Sequence, residues 1–335
     1  MKTKIFCVMV LCAGMLIGCD KEEYEPSKPP IEEPDKPITP PSTDDITNLK
    51  IGDINMIVGK SRWNSIAYGN GKYVAVGGDY RGSSGYVTSS ADGTNWSTPI
   101  TIANKPSSGL LDYLVGVAYG NGTFVAVGEA DVNINYVRYT TSTNGITWEV
   151  CSSMNIGQNL SSAIEIIFVN GKFVFITNAE FLTSTNGSTW TYISKIPNTA
   201  YSIAYGNGKY VIGGNGYIFT STDGATWTTI NVPSNGYYSN YFYGATYGNG
   251  KFVLLTGDGR VFTSVDGNTW TEHSQLALPN DYCEYRRVKF INGKFIAVGG
   301  SSYKSVGMYA YSSDGVNWKT IEMGTNRLND ICAFQ

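Results

Sequence analysis

Residues 221–227 read STDGATW, and the phrase returns as SADGTNW ending at Trp96, STNGITW at Trp148, STNGSTW at Trp190, SVDGNTW at Trp270 and SSDGVNW at Trp318. The steps from one tryptophan to the next are 52, 42, 37, 43 and 48 residues. Self-similarity at this period marks a solenoid or a propeller. Upstream of each phrase lies a second recurring segment: IAYGNGKYVAVGG from Ile66, VAYGNGTFVAVGE from Val117, IIFVNGKFVFIT from Ile166, IAYGNGKYVIGG from Ile203, ATYGNGKFVLLTG from Ala245 and VKFINGKFIAVGG from Val288. Every copy has Asn-Gly at its centre, a pair that tolerates the positive φ angles of a tight primed turn whose twist matches the flanking strands. Each copy is therefore a hairpin. A third short strand then runs into the tryptophan phrase, and the tryptophan opens a fourth.

Short strands joined by turns favour a closed ring, which leaves only short, protected outer edges. The expected fold is all-β: a β-propeller of four-stranded antiparallel blades spanning residues 49–335, with six blades, and seven as the alternative. The tail LNDICAF, Leu328 to Phe334, looks like the opening strand of a seventh unit or a closing strand that pairs with INMIVG at Ile54 to Gly59.

The Ser/Thr-x-Asp/Asn-Gly-x-x-Trp phrase resembles the Asp-box, or BNR repeat, of sialidase-like β-propellers, in six copies between about residues 63 and 325. It departs from the usual box by lacking a residue between Asp and Gly, and two copies carry Asn144 and Asn186 in place of the acid. The residue types explain themselves. A short Asp or Asn side chain accepts backbone N–H groups of its own turn, Gly supplies a conformation that a Cβ opposes, and the Ser or Thr hydroxyl closes the loop. The tryptophan then delivers a large apolar ring between blades. Asp92, Asp223, Asp266 and Asp314 are thus read as turn formers, not metal ligands.

Composition agrees with strands and turns: 13% aromatic, 39 glycines and only 15% charged residues. Lys and Arg number 24 against 27 Asp and Glu, a formal charge of −3. No basic surplus is available for a phosphate backbone, so nucleic acid is not an expected partner.

The start, MKTKIFCVMVLCAGMLIGC, has two lysines, an apolar run from Ile5 to Ile17 and a small residue before Cys19, the pattern of an export signal occupying residues 1–18. Leu16-Ile17-Gly18-Cys19 resembles the lipobox of bacterial lipoproteins, which implies lipidation at Cys19. The following Asp20-Lys21-Glu22-Glu23 is similar to the export signal that sends Bacteroidetes lipoproteins to the cell surface. The resemblance implies an outer-membrane, cell-surface location through a lipid anchor only. Residues 19–48 are rich in proline and acids, too poor in apolar surface to fold, and read as a tether. Three cysteines, Cys151, Cys283 and Cys332, remain in the folded part. They leave open one bridge, with Cys283 to Cys332 conceivable, or three buried thiols.

Because strands alternate direction, the Asn-Gly turns and the tryptophan phrases share one face of the disc. The other face receives the variable loops, such as GDYRGSSGY (Gly78 to Tyr86), NVPSNGYYSNYFYG (Asn231 to Gly244) and LALPNDYCEYRR (Leu276 to Arg287). Functional groups sit disproportionately on such loops. Their Tyr, Asn and Arg suit stacking and adaptable hydrogen bonds, and the candidate binding residues are Tyr80, Arg81, Tyr136, Arg138, Tyr237, Tyr238, Tyr241, Tyr285, Arg286 and Tyr303. The expected ligand is a glycan or an outer-membrane protein partner, bound by a monomeric propeller.

An enzyme is the competing reading. The sialidase resemblance implies three arginines around a substrate carboxylate with a Tyr–Glu nucleophile pair, yet no Arg-Ile-Pro phrase occurs, and a triad from Arg62, Arg138 and Arg286 has no motif behind it. Glycoside hydrolysis needs two flanking carboxylates, for which the loop-face acids are Asp112, Glu129, Asp131, Glu165 and Glu284. The single histidine, His273, lies in the outer-strand phrase TWTEHS, and no His/Cys cluster has metal-ligand spacing. No cofactor or metal is expected, and no catalytic residue is assigned. A structural component of a surface assembly is the third reading.

Overall fold

A computed structural model of the chain describes residues 51–53, 63–78, 85–102, 111–130, 136–155, 162–233, 240–301, 303, 306–323 and 327–333. The signal, Cys19 and the tether therefore lie outside the described residues. Each Asn-Gly pair bends the chain in the manner its chemistry requires. The six Asn residues have φ of 46–50° and the glycines after them 71–79°, both in the left-handed region that only Gly and Asn enter at low cost.

The hairpins seed six four-stranded antiparallel sheets, at residues 63–101, 111–155, 163–195, 200–231, 244–272 and 284–323, each with strands in sequence order. First strands of successive sheets pack side by side around the ring. The chain is a six-bladed propeller. A two-stranded sheet closes it: Ile331–Ala333 pairs antiparallel with Ile51–Asp53, with Gly52 opposite Cys332. The partner of the tail is thus a few residues before Ile54–Gly59, which lies outside the described residues. Ile331–Ala333 packs between the first strands of blades six and one, so the two ends of the folded chain meet there.

Second strands such as Lys72–Gly78 and Lys209–Gly214 are buried at nearly every position, because a neighbouring blade covers each side. Fourth strands such as Thr191–Lys195 are largely exposed. Apolar clusters bridge consecutive blades; one joins Val125, Val127 and Val137 to Ile166, Phe173 and Phe175, with Trp190 packed on it. The tryptophan rings lie just before their fourth strands, not within them, and in blades one and two several residues separate the two.

The tryptophan turns are built as the residue types predict. In the turn that ends at Trp227, the Gly224 N–H donates to Ser221 Oγ at 2.8 Å, and the N–H groups of Ala225 and Thr226 donate to Asp223 Oδ1 at 2.8 and 2.9 Å. Asn144 and Asn186 accept the equivalent bonds through Oδ1, which is why the charge can be dispensed with. Hairpins and turns also stitch this face together. Asn121 Nδ2 donates to Thr185 O at 2.9 Å and Asn249 Nδ2 to Ser313 O at 3.0 Å, each reaching the next blade's turn. The hairpins and the tryptophan phrases do share one face.

Cys151, Cys283 and Cys332 are free thiols, and all are buried. Burial pushes the Cys332 thiol up to about 12. Among the described residues, no helix is long and apolar enough to cross a membrane.

Candidate functional site

The opposite face carries a tyrosine ridge and a pocket, both on blades four to six. The segment Asn240-Tyr241-Phe242-Tyr243 enters blade five through a bridge of Tyr241 to Asn215 and a tight turn in which the Tyr243 N–H donates to Tyr241 O at 3.1 Å. Phe242 is buried in the core while Tyr241 and Tyr243 stay half-exposed. Arg260 anchors this segment from beneath. Its guanidinium donates from Nη1 to Asn240 Oδ1 at 2.6 Å and grips Glu272 through two bonds of 2.7 and 3.0 Å. A planar fork held at three points positions the segment more firmly than an ammonium would.

Tyr201 of blade four meets Tyr241 and Tyr243 with ring centroids 5.0 and 5.5 Å apart, at interplanar angles of 64° and 81°. The Arg286 guanidinium of blade six lies over the Tyr243 ring at 4.6 Å and is ion-paired with Glu284. Arg327 adds a second, longer contact to Glu284 at 3.6 Å. Burial pushes the Tyr243 hydroxyl above its usual value, reinforced by Glu284 and opposed by Arg286. Beside the ridge opens a pocket of about 430 Å³, lined by Tyr243, Tyr282 and Tyr303 and by Asp258, Asp281 and Glu284, among others. No basic side chain is among its described lining residues.

The residues singled out from the sequence scatter. Tyr241 and Arg286 belong to the ridge, and Tyr303 lines the pocket, 86% exposed. Arg138 and Tyr285 do not reach the surface. Arg138 is buried with its guanidinium against the Cys151 thiol, between blades one and two. Tyr285 is buried in the core shared by blades five and six, where its hydroxyl donates to Ala277 O at 3.2 Å. The strand period explains Tyr285: in Cys283-Glu284-Tyr285-Arg286 the first and third residues turn inward and the second and fourth outward. Tyr136 opens the third strand of blade two, Tyr136–Ser142. Tyr80, Arg81, Tyr237 and Tyr238 lie outside the described residues.

Sequence reasoning missed Tyr201, Tyr243 and Tyr282, and a columnar reading of the repeat finds the first two. Six positions before each hairpin Asn stand Asn64, Val115, Ile164, Tyr201, Tyr243 and Arg286. Blades four to six thus supply two aromatic rings and a cation at one equivalent position. This residue is the extra one of a bulge in the inner strands of blades one, two, three, four and six.

The next column, five before the Asn, is Ser65, Gly116, Glu165, Ser202, Gly244 and Arg287. It builds a charged plug on the axis. Arg287 of blade six reaches Glu165 of blade three at 2.6 Å, and Lys289 holds Asp330, just before the closing strand, at 2.6 Å. Glu165 also accepts the Ile203 N–H at 3.1 Å, and Asp330 accepts Ser65 Oγ–H at 3.0 Å and the Ile66 N–H at 3.1 Å. Burial pushes the Glu165 carboxyl up, opposed by Arg287. Burial acts the same way on Asp330, but Lys289 and Arg287 outweigh it and hold that carboxyl below its usual range. Glu165 is therefore an axial structural acid, removed from the loop-face set in which the sequence put it. Glu284 is committed to Arg286. Asp131 lies outside the described residues, as does Arg62.

Comparison of the sequence with protein-family profiles finds no match, and comparison with curated proteins finds none either. Solved structures do resemble the fold. A structure described as YCF48 bound to D1 peptide superposes with a TM-score of 0.56 at 16% identity, covering 81% of this chain and 84% of that one. YCF48 from Cyanidioschyzon merolae superposes with a TM-score of 0.54 at 12% identity, covering 81% and 88%. At such identities the likeness establishes a propeller fold distantly related to other propellers, and nothing finer.

Proposed function

We propose that this chain is a binding propeller whose loop face takes an extended polypeptide segment of a protein partner, without turnover. The observation that carries the reading is the tyrosine ridge beside an open pocket, held rigid from below by Arg260. Tyrosine and arginine dominate interface hot spots because they give large contact area with few rotatable bonds and a polar tip. Tyr201 meets the other two ridge rings edge to face and those two are tilted 35° to each other, so the three form a knobbed surface and not the flat platform that a sugar ring stacks on. That a propeller of this fold carries a bound peptide in a solved structure is consistent with this use of the scaffold. Of the residues that the hydrolase reading named, Glu165 and Glu284 are both paired with arginines, and Arg138 is buried. In this reading the lipid at Cys19 anchors the domain to the outer membrane at the cell surface, and residues 19–48 hold it clear of the bilayer.

The test is selection of a random displayed peptide library on the propeller, in parallel with a glycan array and a chromogenic glycoside panel. Enriched peptides should bind at least about tenfold more weakly to Tyr241→Ala, the loss of one ridge anchor, and equally well to Lys251→Ala on the hairpin face. Peptides indifferent to Tyr241, glycans bound in their place, or turnover lost in Glu284→Gln would each overturn the proposal.

A further inference from the structure

The pocket between blades five and six has a chemistry of its own, and we infer that it receives a basic side chain, a lysine or arginine of the partner's polypeptide segment. The inference rests on the loop face being the binding surface. Three tyrosine rings and three carboxylates, Tyr243, Tyr282, Tyr303, Asp258, Asp281 and Glu284, line one cavity. Aromatic faces carry negative quadrupole density and attract a cation, most strongly where water is partly excluded. Carboxylates at the same wall add charge and hydrogen-bond acceptors. An anionic ligand would meet repulsion from that wall, and a purely apolar one would strip water from the carboxylates without replacing it.

Two further features support a cation. Tyr282 and Tyr303 are 61% and 86% exposed, so core packing does not account for large rings at these positions. The molecule also satisfies the same chemistry once with its own chain: Arg286 sits on the Tyr243 ring with Glu284 as its counter-ion, and Tyr243 and Glu284 both line the cavity. That pairing, with Arg327, takes up much of the Glu284 charge. Asp258 accepts the Thr256 hydroxyl and Asp281 stands exposed at the rim, so these two are left to face an incoming cation. At about 430 Å³ the cavity falls within the range of small-ligand pockets, with room for a basic side chain and its flanking backbone.

Peptides selected on the propeller provide the test. Each is titrated as selected and with its lysine or arginine replaced by norleucine, against the unaltered protein and against Asp281→Asn and Tyr303→Leu. Both substitutions are at exposed positions, so folding is not at risk. The enriched peptides should share a basic residue, and norleucine at that position should weaken binding about tenfold or more, the scale of a desolvated cation on an aromatic wall. The same replacement should make affinity insensitive to Asp281→Asn. Norleucine peptides that bind as tightly as their parents, or parents unaffected by Asp281→Asn and Tyr303→Leu alike, would overturn the inference. If Tyr241→Ala still weakens those peptides, the loop-face reading survives without it; if Tyr241→Ala is silent too, both fall.

Discussion

The two faces of this disc are made from one repeat and follow opposite rules. On the hairpin face every blade presents the same Asn-Gly turn and the same tryptophan turn, and side chains such as Asn121 and Lys251 donate to the next blade's carbonyls. Variation there is limited to changes that keep the turn's bonds, such as Asn144 and Asn186 for Asp, because many of these turns also accept hydrogen bonds from a neighbouring blade. On the loop face the connections differ in length and composition, and only blades four to six supply Tyr201, Tyr243 and Arg286 at their shared position. Rigidity accumulates where contacts repeat. Specificity has room where they do not, and the axial ion cluster separates the two regimes.

The comparison can be broken most severely at the axis. Arg287→Met removes the partner of Glu165 and leaves a carboxylate in a largely buried site, which typically costs about 3–5 kcal/mol. Chemical denaturation should show that loss, and adding Glu165→Leu should recover a large part of it, since a buried pair replaced by apolar groups is often near neutral. An additive double variant would mean that the pair does not act as a unit.

The hairpin face should break next. A Cβ on Gly248 would stand 2.1 Å from the Phe290 ring, which packs against Phe295 at 4.8 Å. Gly248→Ala must push that ring aside, an overpacking cost of about 1–3 kcal/mol. On the loop face, Tyr303→Ala should change stability by less than about 0.5 kcal/mol, as surface substitutions do. Equal losses at the two sites would erase the distinction drawn above.

Carboxylate titration sharpens the contrast by a change of pH alone. Backbone N–H donors hold Asp266 down to about 2, and the N–H groups of Thr226 and Ala225 lower Asp223 in the same way. Their contribution is present above the unfolded value near 4 and is lost as pH falls toward 2. Glu180 in blade three behaves oppositely. Burial raises its carboxyl to about 7, with Lys195 opposing. Its folded form holds a proton that the unfolded chain releases, so this contribution is present below the usual carboxylate range and is lost as pH rises through 7. Denaturation midpoints at pH 5 and pH 8 should therefore fall more for the unaltered protein than for Glu180→Gln. An identical fall in both would remove Glu180 from the account.

Much of the molecule was legible because its repeat is local. Asn-Gly needs no tertiary partner to prefer a primed turn, and Asp223 makes its bonds within three residues, so strand order and the sidedness of the turns follow from the chain, while six blades over seven was decided by the pairing of the tail with Ile51–Asp53. The site was legible only in part. Tyr241, Arg286 and Tyr303 came from loop composition, which cannot tell an outward tyrosine from an inward one. The failure at Tyr285 is one of strand parity: one step along an extended chain exchanges surface for core. Arg138 fails differently, since Val137 and Arg138 are both buried and neither side of that strand faces solvent there.

The amino-acid sequence by itself determined the propeller, its six hairpins and the face on which variation gathers, since turn chemistry and period act over a few residues. Only the closed ring decided that Glu165 meets Arg287 across the axis, that Asp330 beside the closing strand joins them, and that tyrosines from separate blades stand around one pocket with three carboxylates. Glu165 and Arg287 are 122 positions apart, Arg287 and Asp330 43, and Tyr243 and Tyr303 60. Each exists because ring closure brings blades into register, and no short stretch of chain carries that information.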